Sequence, residues 1–534
     1  MNPTKIFLYI ATATLLLSCE KNVLNKQPLG QIDNDVVFKD VSLATLYVNN
    51  MYLGLPGGLN RGLDCATEIG EDGHNWAPAT SWNTGDISPS NAPFSDEWGS
   101  MYTQIRNANL VLQNAPGLKG DPSAIDQLKG QSFFLRAYFY TELVNLFGGV
   151  PILTKAQTLQ DSLMVSRNTY QECVDFILSD LDSAAALLPA EWDAANIGRA
   201  TKGAALALKS RLLLFAASPL NNPSNDLSKW QAAADAAKAV IDLGQYSLYP
   251  NYYDLFHTDN NQEVIFDIQY AYPTRVENIT YRTNPAGMNG AYGMSRPTED
   301  LVERYEMSNG KKITDPGSGY SLQDPYTDRD PRFYGTVLYN GESWRGQTLE
   351  MFTDGANGPG IYDQYGSGAY MTGYYNKKFI TENTILDYTL DKSNDNWILI
   401  RYAEVLLNYA EAELHLGNEP EAKVYLDMIR TRAGMPAIPA SETGTALMDR
   451  FVNERTVELA FEELHFFDVR RWKTAPALVG ADTHRMMITK NPDDSFTYQV
   501  EAISSRAWLD SYYHLPIPQD EINKNPNLVQ NEGY

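Results

Sequence analysis

Residues 409–432 read YAEAELHLGNEPEAKVYLDMIRTR, and this stretch decides the fold. Ala412, Leu416 and Gly417 close one helical stripe, and Ala422, Leu426 and Ile429 follow five, nine and twelve residues after the glycine. An apolar or small residue every three or four positions marks one face of a helix. A small residue near the turn lets two such faces approach, and the larger ones fill the groove between them, which is the spacing of a tetratricopeptide-like hairpin. Upstream, Leu135, Tyr138, Phe139, Leu143 and Leu146 form one stripe, and Ala205, Leu208, Leu212, Phe215 and Ala216 another. Helices also fit 170–188 and 230–243, where Ala236 and Val240 after Trp230 echo the hairpin pattern, and the signature returns at 398–415, 420–432 and 447–472. Pairing 97–114 with 125–147, 170–188 with 202–218, and the later helices likewise predicts four hairpins. Plain antiparallel helices without the repeat geometry would leave the same stripes.

Between the helical blocks, 250–395 is rich in Gly, Tyr, Asn and Asp, with short strand-like runs at Val264–Ile268 and Gly335–Tyr339. The expected class is therefore mainly α: four tetratricopeptide-like helix hairpins packed against an irregular loop-rich lobe with short β-strands. The body is expected over 41–534, with helical scaffold at about 41–245 and 396–475, the inserted lobe at about 250–395, and a C-terminal segment 476–534. The 43% hydrophobic and 11% aromatic composition suits one large compact unit or two closely packed lobes.

At the other end of the chain, Lys5 precedes an apolar run from Ile6 that closes on Leu15-Leu16-Leu17-Ser18-Cys19. A basic start, an apolar core within the ~7–15 residues of a signal peptide, and a small residue ahead of Cys predict a lipoprotein leader. Residues 1–18 are expected to be removed, Cys19 lipidated, and 19–40 to act as a spacer rich in Asn22, Asn25, Gln27, Pro28 and Gly30. A diacylglyceryl group plus an acylated amino terminus gives the two signals that stable anchoring needs. An ordinary secretory peptide with an incidental Cys19 is the plainer alternative.

With 66 acidic against 42 basic residues, the formal charge of −24 argues against a nucleic-acid partner, which needs a basic face. Of three cysteines, Cys19 is committed to lipid, and Cys173 lies on an apolar stripe as a small core residue. Enzyme motifs are missing. The six histidines at 74, 257, 415, 465, 484 and 514 give no paired metal spacing, and there is no nucleophile elbow or phosphate loop. Asp324, Asp328 and Asp330 lack the Gly and terminal Glu of a calcium loop. No metal or cofactor is expected. Paired carboxylates for glycoside hydrolysis need only ~5–10 Å in space and stay open at this level.

Several blocks, in order, resemble the SusD/RagB family of outer-membrane nutrient-binding lipoproteins. They are Trp98 to Asn109, Phe134 to Tyr140 continuing through Leu146-Phe147-Gly148-Gly149-Val150-Pro151, Gly198 to Ala204, Ala216 to Leu220, Asp330-Pro331-Arg332-Phe333, Ile400 to Leu407, and Asn453-Glu454-Arg455 with Asp468-Val469-Arg470-Arg471-Trp472. The resemblance implies four tetratricopeptide-like units, a loop-rich lobe that builds the ligand site, and partnership with a SusC-type TonB-dependent transporter. It places the protein at the cell outer membrane, facing the exterior. The function it implies is non-catalytic capture of an oligosaccharide or polysaccharide and delivery to that transporter. A peptide-binding version of the same family is the alternative, and a glycoside hydrolase is the less favoured one. The particular glycan is not written in the sequence.

Arg136, Arg401 and Arg455 lie among apolar neighbours and are expected to be structural, paired with carboxylates or carbonyls. Glu454, Glu458, Glu462 and Glu463 read as a solvated or transporter-facing charge run. A sugar offers hydroxyls at its rim and a weakly apolar face, so its binder stacks an aromatic ring on that face and hydrogen-bonds the rim. In the aperiodic loop Glu68 to Phe94, Trp76 and Trp82 are therefore the leading platforms, with Asp72 and Asn75 as rim partners; packing beneath the loop is the alternative for either tryptophan. In the lobe, Tyr292, Tyr320, Trp344 and Tyr362, the last close to Tyr365, are further ligand candidates. Tyr374, Tyr375 and Lys378 are assigned to scaffold, and Trp98, with Tyr102 and Ile105 one and two turns on, to core.

Overall fold

The computed structural model describes residues 37–72, 79–277, 279–288, 291, 293–359, 371–383 and 395–534. Helix α1 (Val41–Met51) starts on Asp40, whose side chain accepts from Ser42 N. The scaffold continues with α2 (Ser95–Asn114), α3 (Pro122–Phe147), α4 (Tyr170–Leu187), α5 (Lys202–Ala217) and α6 (Leu227–Ile241). After the lobe come α7 (Tyr402–His415), α8 (Glu419–Arg432), α9 (Thr445–Glu458) and α10 (His465–Arg471). The starts are written in the sequence: Asp121 caps α3 ahead of Pro122, Thr169 and Glu172 form a capping box on α4, and Thr201 caps α5. Each helix from α2 to α7 packs on the next, so α6 meets α7 across the inserted lobe. Gly417, at φ 83°, makes the left-handed exit that turns α7 back into α8.

Ion pairs lock neighbouring layers together. Arg136 of α3 meets both carboxylate oxygens of Asp180 in α4 at 2.7 Å and also reaches Asn109 in α2. Arg211 of α5 clamps Glu404 of α7, and Arg455 of α9 joins Asp468 of α10 to Asn408 of α7. The structural reading of Arg136, Arg401 and Arg455 is thus borne out, as are the core positions of Trp98 and Cys173 and the scaffold positions of Tyr374, Tyr375 and Lys378.

Three expectations are corrected. The helix expected over 447–472 breaks after Glu458: Phe461 and Glu463 take left-handed conformations, and α10 begins at His465. The break turns the acidic run inward. Glu454 pairs with Arg332 and Arg430, Glu458 with Arg332, Arg401 and Arg432, Glu462 with Arg401 and Lys378, and Glu463 with Arg61. Glu454, Glu458 and Glu463 are buried and the Glu462 side chain is nearly so, and each is paired with a cation, which makes the burial of its charge tolerable. Finally, Gly335 and Thr336 end the short helix Pro331–Thr336, which Asp330 caps, leaving only Val337–Leu338 as strand.

The lobe shares the scaffold's core: Tyr305, Phe333 and Tyr374 belong to the same buried cluster as Phe139 and Leu212. Its strands form short antiparallel pairs, two of them with strands from outside the lobe. β1 (Gly70–Glu71) pairs with β3 (Arg296–Pro297), β2 (Val264–Ile268) with β8 (Trp397–Arg401), β4 (Val337–Leu338) with β7 (Tyr375–Asn376), and β5 (Ser343–Trp344) with β6 (Gln347–Thr348). The C-terminal segment adds a long hairpin, β9 (Asp482–Lys490) and β10 (Phe496–Ser505), that hydrogen-bonds the lobe through Thr372 and Thr353.

Candidate functional site

Strand β1 carries the chain to Asp72 in register with β3, Glu71 lying opposite Arg296. Arg506 donates to Glu71 and to Gly70 O, which fixes this edge. Asp72 itself is only 3% exposed, so it is no rim residue. Burial and the adjacent Glu71 carboxylate push its pKa up to about 7. Gly62, at φ 62°, lies against it, and a Cβ there would come within 2.9 Å of Asp72 Oδ2.

Trp82 is a core residue, not a platform. It is 3% exposed, its ring stands edge-on to Phe466 at 5.2 Å and Tyr512 at 6.0 Å, and the Arg470 guanidinium lies 4.6 Å from its centroid. Trp344 is 1% exposed and donates from Nε1 to Asn284, so it forms a wall and offers no open face. Tyr320 is half-buried with the Arg329 guanidinium 5.4 Å from its centroid, which occupies one ring face, and burial pushes its hydroxyl up to about 12. Cys19, Asn75, Trp76, Tyr292, Tyr362 and Tyr365 lie outside the described residues.

A cleft of about 820 Å³ lies between the lobe and the end of α8, within the range of ligand sites. Trp344 backs it, and Arg332 and Arg432 lie in its floor, joined to the buried carboxylates. Tyr253 and Tyr334 stand half-buried at its sides. Their hydroxyls are engaged, Tyr253 donating to Ile380 O at 2.7 Å and Tyr334 to Tyr326 O at 2.6 Å, which fixes both rings. Lys377 Nζ pairs with Glu342 at 2.6 Å and lies 5.6 Å from the Tyr253 centroid and 5.7 Å from that of Trp344. Asn251, Asp254, Glu382 and Asn383 complete a polar rim. Burial holds His257 down at about 4, so its imidazole is neutral at pH 7. Lys378, the next residue after Lys377, pairs instead with Glu462; burial lowers its pKa to about 8.

Fixed rings beside amide, carboxylate and ammonium groups form a surface that stacks and hydrogen-bonds a polyhydroxylated ligand. Sequence reasoning did not single out Tyr253, Tyr334 or Lys377. The available signal was Pro250-Asn251-Tyr252-Tyr253-Asp254, two tyrosines in a polar turn of the kind weighed elsewhere in the lobe. Among the described residues, no group of three or more His, Cys, Asp or Glu is arranged to hold a metal ion, and no helix is long and apolar enough to cross a membrane.

A serial stack of tetratricopeptide-like helices carrying a loop-rich lobe with an open polar and aromatic cleft defines a helical-scaffold binding protein. Comparisons with known proteins sharpen this. The family model described as the SusD family matches residues 262–534, just over half the chain, and one described as "Starch-binding associating with outer membrane" matches 47–214. The chain belongs to the SusD family. It is 24% identical over 523 residues to SusD-like protein P25 of Formosa agariphila, covering 94% of this chain and 90% of the relative. A SusD-like protein of Bacteroides fragilis has a solved structure that superposes with a TM-score of 0.81 at 29% identity, over 95% of this chain and 100% of that one. A SusD-like carbohydrate binding protein of the same species gives 0.78 at 25% identity, over 92% and 100%.

Proposed function

We propose that this protein captures an oligosaccharide or polysaccharide by affinity alone, and passes it uncleaved to a SusC-type TonB-dependent transporter. Lipid on Cys19 would hold the body at the outer membrane, facing outward. The observation that carries the glycan reading is the cleft, where the fixed rings of Tyr253 and Tyr334 face a rim of Asn251, Asp254, Lys377 and Glu382 on a SusD-family scaffold. The solved relative described as carbohydrate-binding, and the family description as starch-binding and associated with the outer membrane, support it. Trp76, Asn75, Tyr292 and Tyr362 are proposed as further ligand contacts from their sequence setting.

The test is affinity electrophoresis of the purified protein in gels loaded with plant, host and microbial polysaccharides. Retardation in at least one gel is expected, without release of reducing ends. Cleavage would make it a hydrolase, and a co-purified peptide seen by mass spectrometry with no retardation in any gel would make it a peptide binder. Anchoring is tested separately: Cys19→Ala should leave the protein soluble in cells lacking the transporter, and retention with membranes would refute the lipid.

A further inference from the structure

Arg470 is 3% exposed, yet its bonds run to carbonyls and rings instead of a carboxylate. Its Nε donates to Tyr512 O at 3.1 Å and its Nη1 to Phe466 O at 3.0 Å, while the Phe466 and Trp82 centroids lie 3.5 and 4.6 Å away. Nη2 is buried without a hydrogen-bond partner. The next residue differs: Arg471 is held by Glu411 and Asp468.

Two more orphaned polar atoms belong to the same place. The Tyr170 hydroxyl and His514 Nδ1 are buried and unpartnered, and Tyr170, Arg470 and His514 line one cavity of about 20 Å³ among α4, α5 and α10. That is a small space, enough for a water-sized or slightly larger sphere. No Asp or Glu lines the cavity, and its other cation, Arg471, is already neutralised. Arg167 adds positive field nearby, since its own bonds run to the carbonyls of Gly149, Val529 and Phe147 and to Asn531. Burial together with Arg167 and Arg470 holds His514 down at about 4, so the ring is neutral with one N–H to donate.

A water there would satisfy the donors and leave the charge of a buried guanidinium uncompensated, which is costly. A monoatomic anion, only slightly larger than water, does both. We propose that this cavity is a halide site, in which one chloride accepts hydrogen bonds from Arg470 Nη2, the Tyr170 hydroxyl and an N–H of His514. The site shares no lining residue with the glycan cleft.

The mature protein, crystallised with sodium bromide and measured at the bromine edge, should show an anomalous peak within hydrogen-bond reach of Arg470 Nη2. In solution, denaturation at constant ionic strength should depend on the anion. Above the site's dissociation constant, the folding equilibrium constant should rise about tenfold per tenfold chloride when gluconate is replaced. Tyr170→Phe, which removes only a hydroxyl, should move that dependence to higher chloride. A water without anomalous signal in that position overturns the proposal, and so do identical denaturation curves in chloride and gluconate.

Discussion

Replacing Trp82 by alanine separates a core tryptophan from a sugar platform, because each role leaves its own trace. The side chain is almost wholly buried, in edge contact with Phe466 and Tyr512 and under the Arg470 guanidinium. An aromatic of this kind buries about 150–250 Å², which at about 25 cal/mol per Å² sets an upper figure of ~4–6 kcal/mol. Measured losses for Trp to Ala in cores, ~3–5 kcal/mol, sit just below it. Arg470 would also lose one of its aromatic faces, and a buried cation is poorly placed to do so. Trp82→Ala is therefore expected to lose ~3–5 kcal/mol, a large share of the ~5–15 kcal/mol that holds most domains folded. Trp82→Phe, which keeps a ring against Phe466, should recover part of it. The assay is urea denaturation followed by circular dichroism, with glycan affinity measured on the folded fraction. A variant within ~1 kcal/mol of wild type whose glycan binding falls tenfold or more would refute the core assignment.

Other expected outcomes test the network and the cleft. Glu458→Gln should cost ~3–5 kcal/mol or abolish folding, since it strips a shared carboxylate from buried Arg332, Arg401 and Arg432; yield and denaturation midpoint report it. Burial raises the Glu458 pKa, but Arg432, Arg401 and Arg332 outweigh it and hold the group well below the usual carboxylate range. Its folded pKa is thus depressed, so its contribution is present above ~4.3 and is lost as pH falls further, a loss that acid titration of stability should show. Glu299 is the reverse case: burial pushes it up to about 7 while Tyr374 donates to it. Its contribution is complete below ~4.3 and is lost as pH rises through about 7, so Glu299→Gln should recover up to ~3 kcal/mol at pH 8 and almost nothing at pH 4. Tyr253→Ala should weaken glycan binding by ~1–2 kcal/mol, read by calorimetry, with the melting temperature near wild type; unchanged affinity would move the ligand away from the cleft.

The scaffold was legible because burial imposes its period on nearby residues. The stripes at 135–146 and 205–216 and the Gly417 turn each carry their evidence within one or two helical turns. Arg136, Arg401 and Arg455 were legible for a related reason, since a guanidinium among apolar neighbours has to be paired. The acidic run 454–463 failed the same style of reading. Its partners Arg332, Arg401 and Arg432 sit in the lobe, at the start of α7 and at the end of α8, so locally it is indistinguishable from a solvated face. Trp82 failed likewise: its loop has the Gly and Pro of an exposed segment, while the residues that bury it, Phe466 and Tyr512, arrive from the far end of the chain.

The cleft was illegible for a different reason, because a cavity is a distance between elements and no residue type encodes it. Its chemistry nonetheless follows from the buried network. Arg332 and Arg432 line it, but both direct their charge inward, to Glu454, Glu458 and Glu263, and Lys377 is held by Glu342. A ligand entering the cleft therefore meets cations that are already compensated, beside rings whose hydroxyls are already engaged. Little attraction is left for a strongly charged ligand, and discrimination has to come from stacking and from the placing of hydroxyls against Asn251, Asp254 and Glu382. That is the balance a neutral glycan requires, and it depends on the acidic run being buried: were Glu458 solvated, Arg332 and Arg432 would each lose one of the carboxylates that compensate them, and the cleft would turn toward anions.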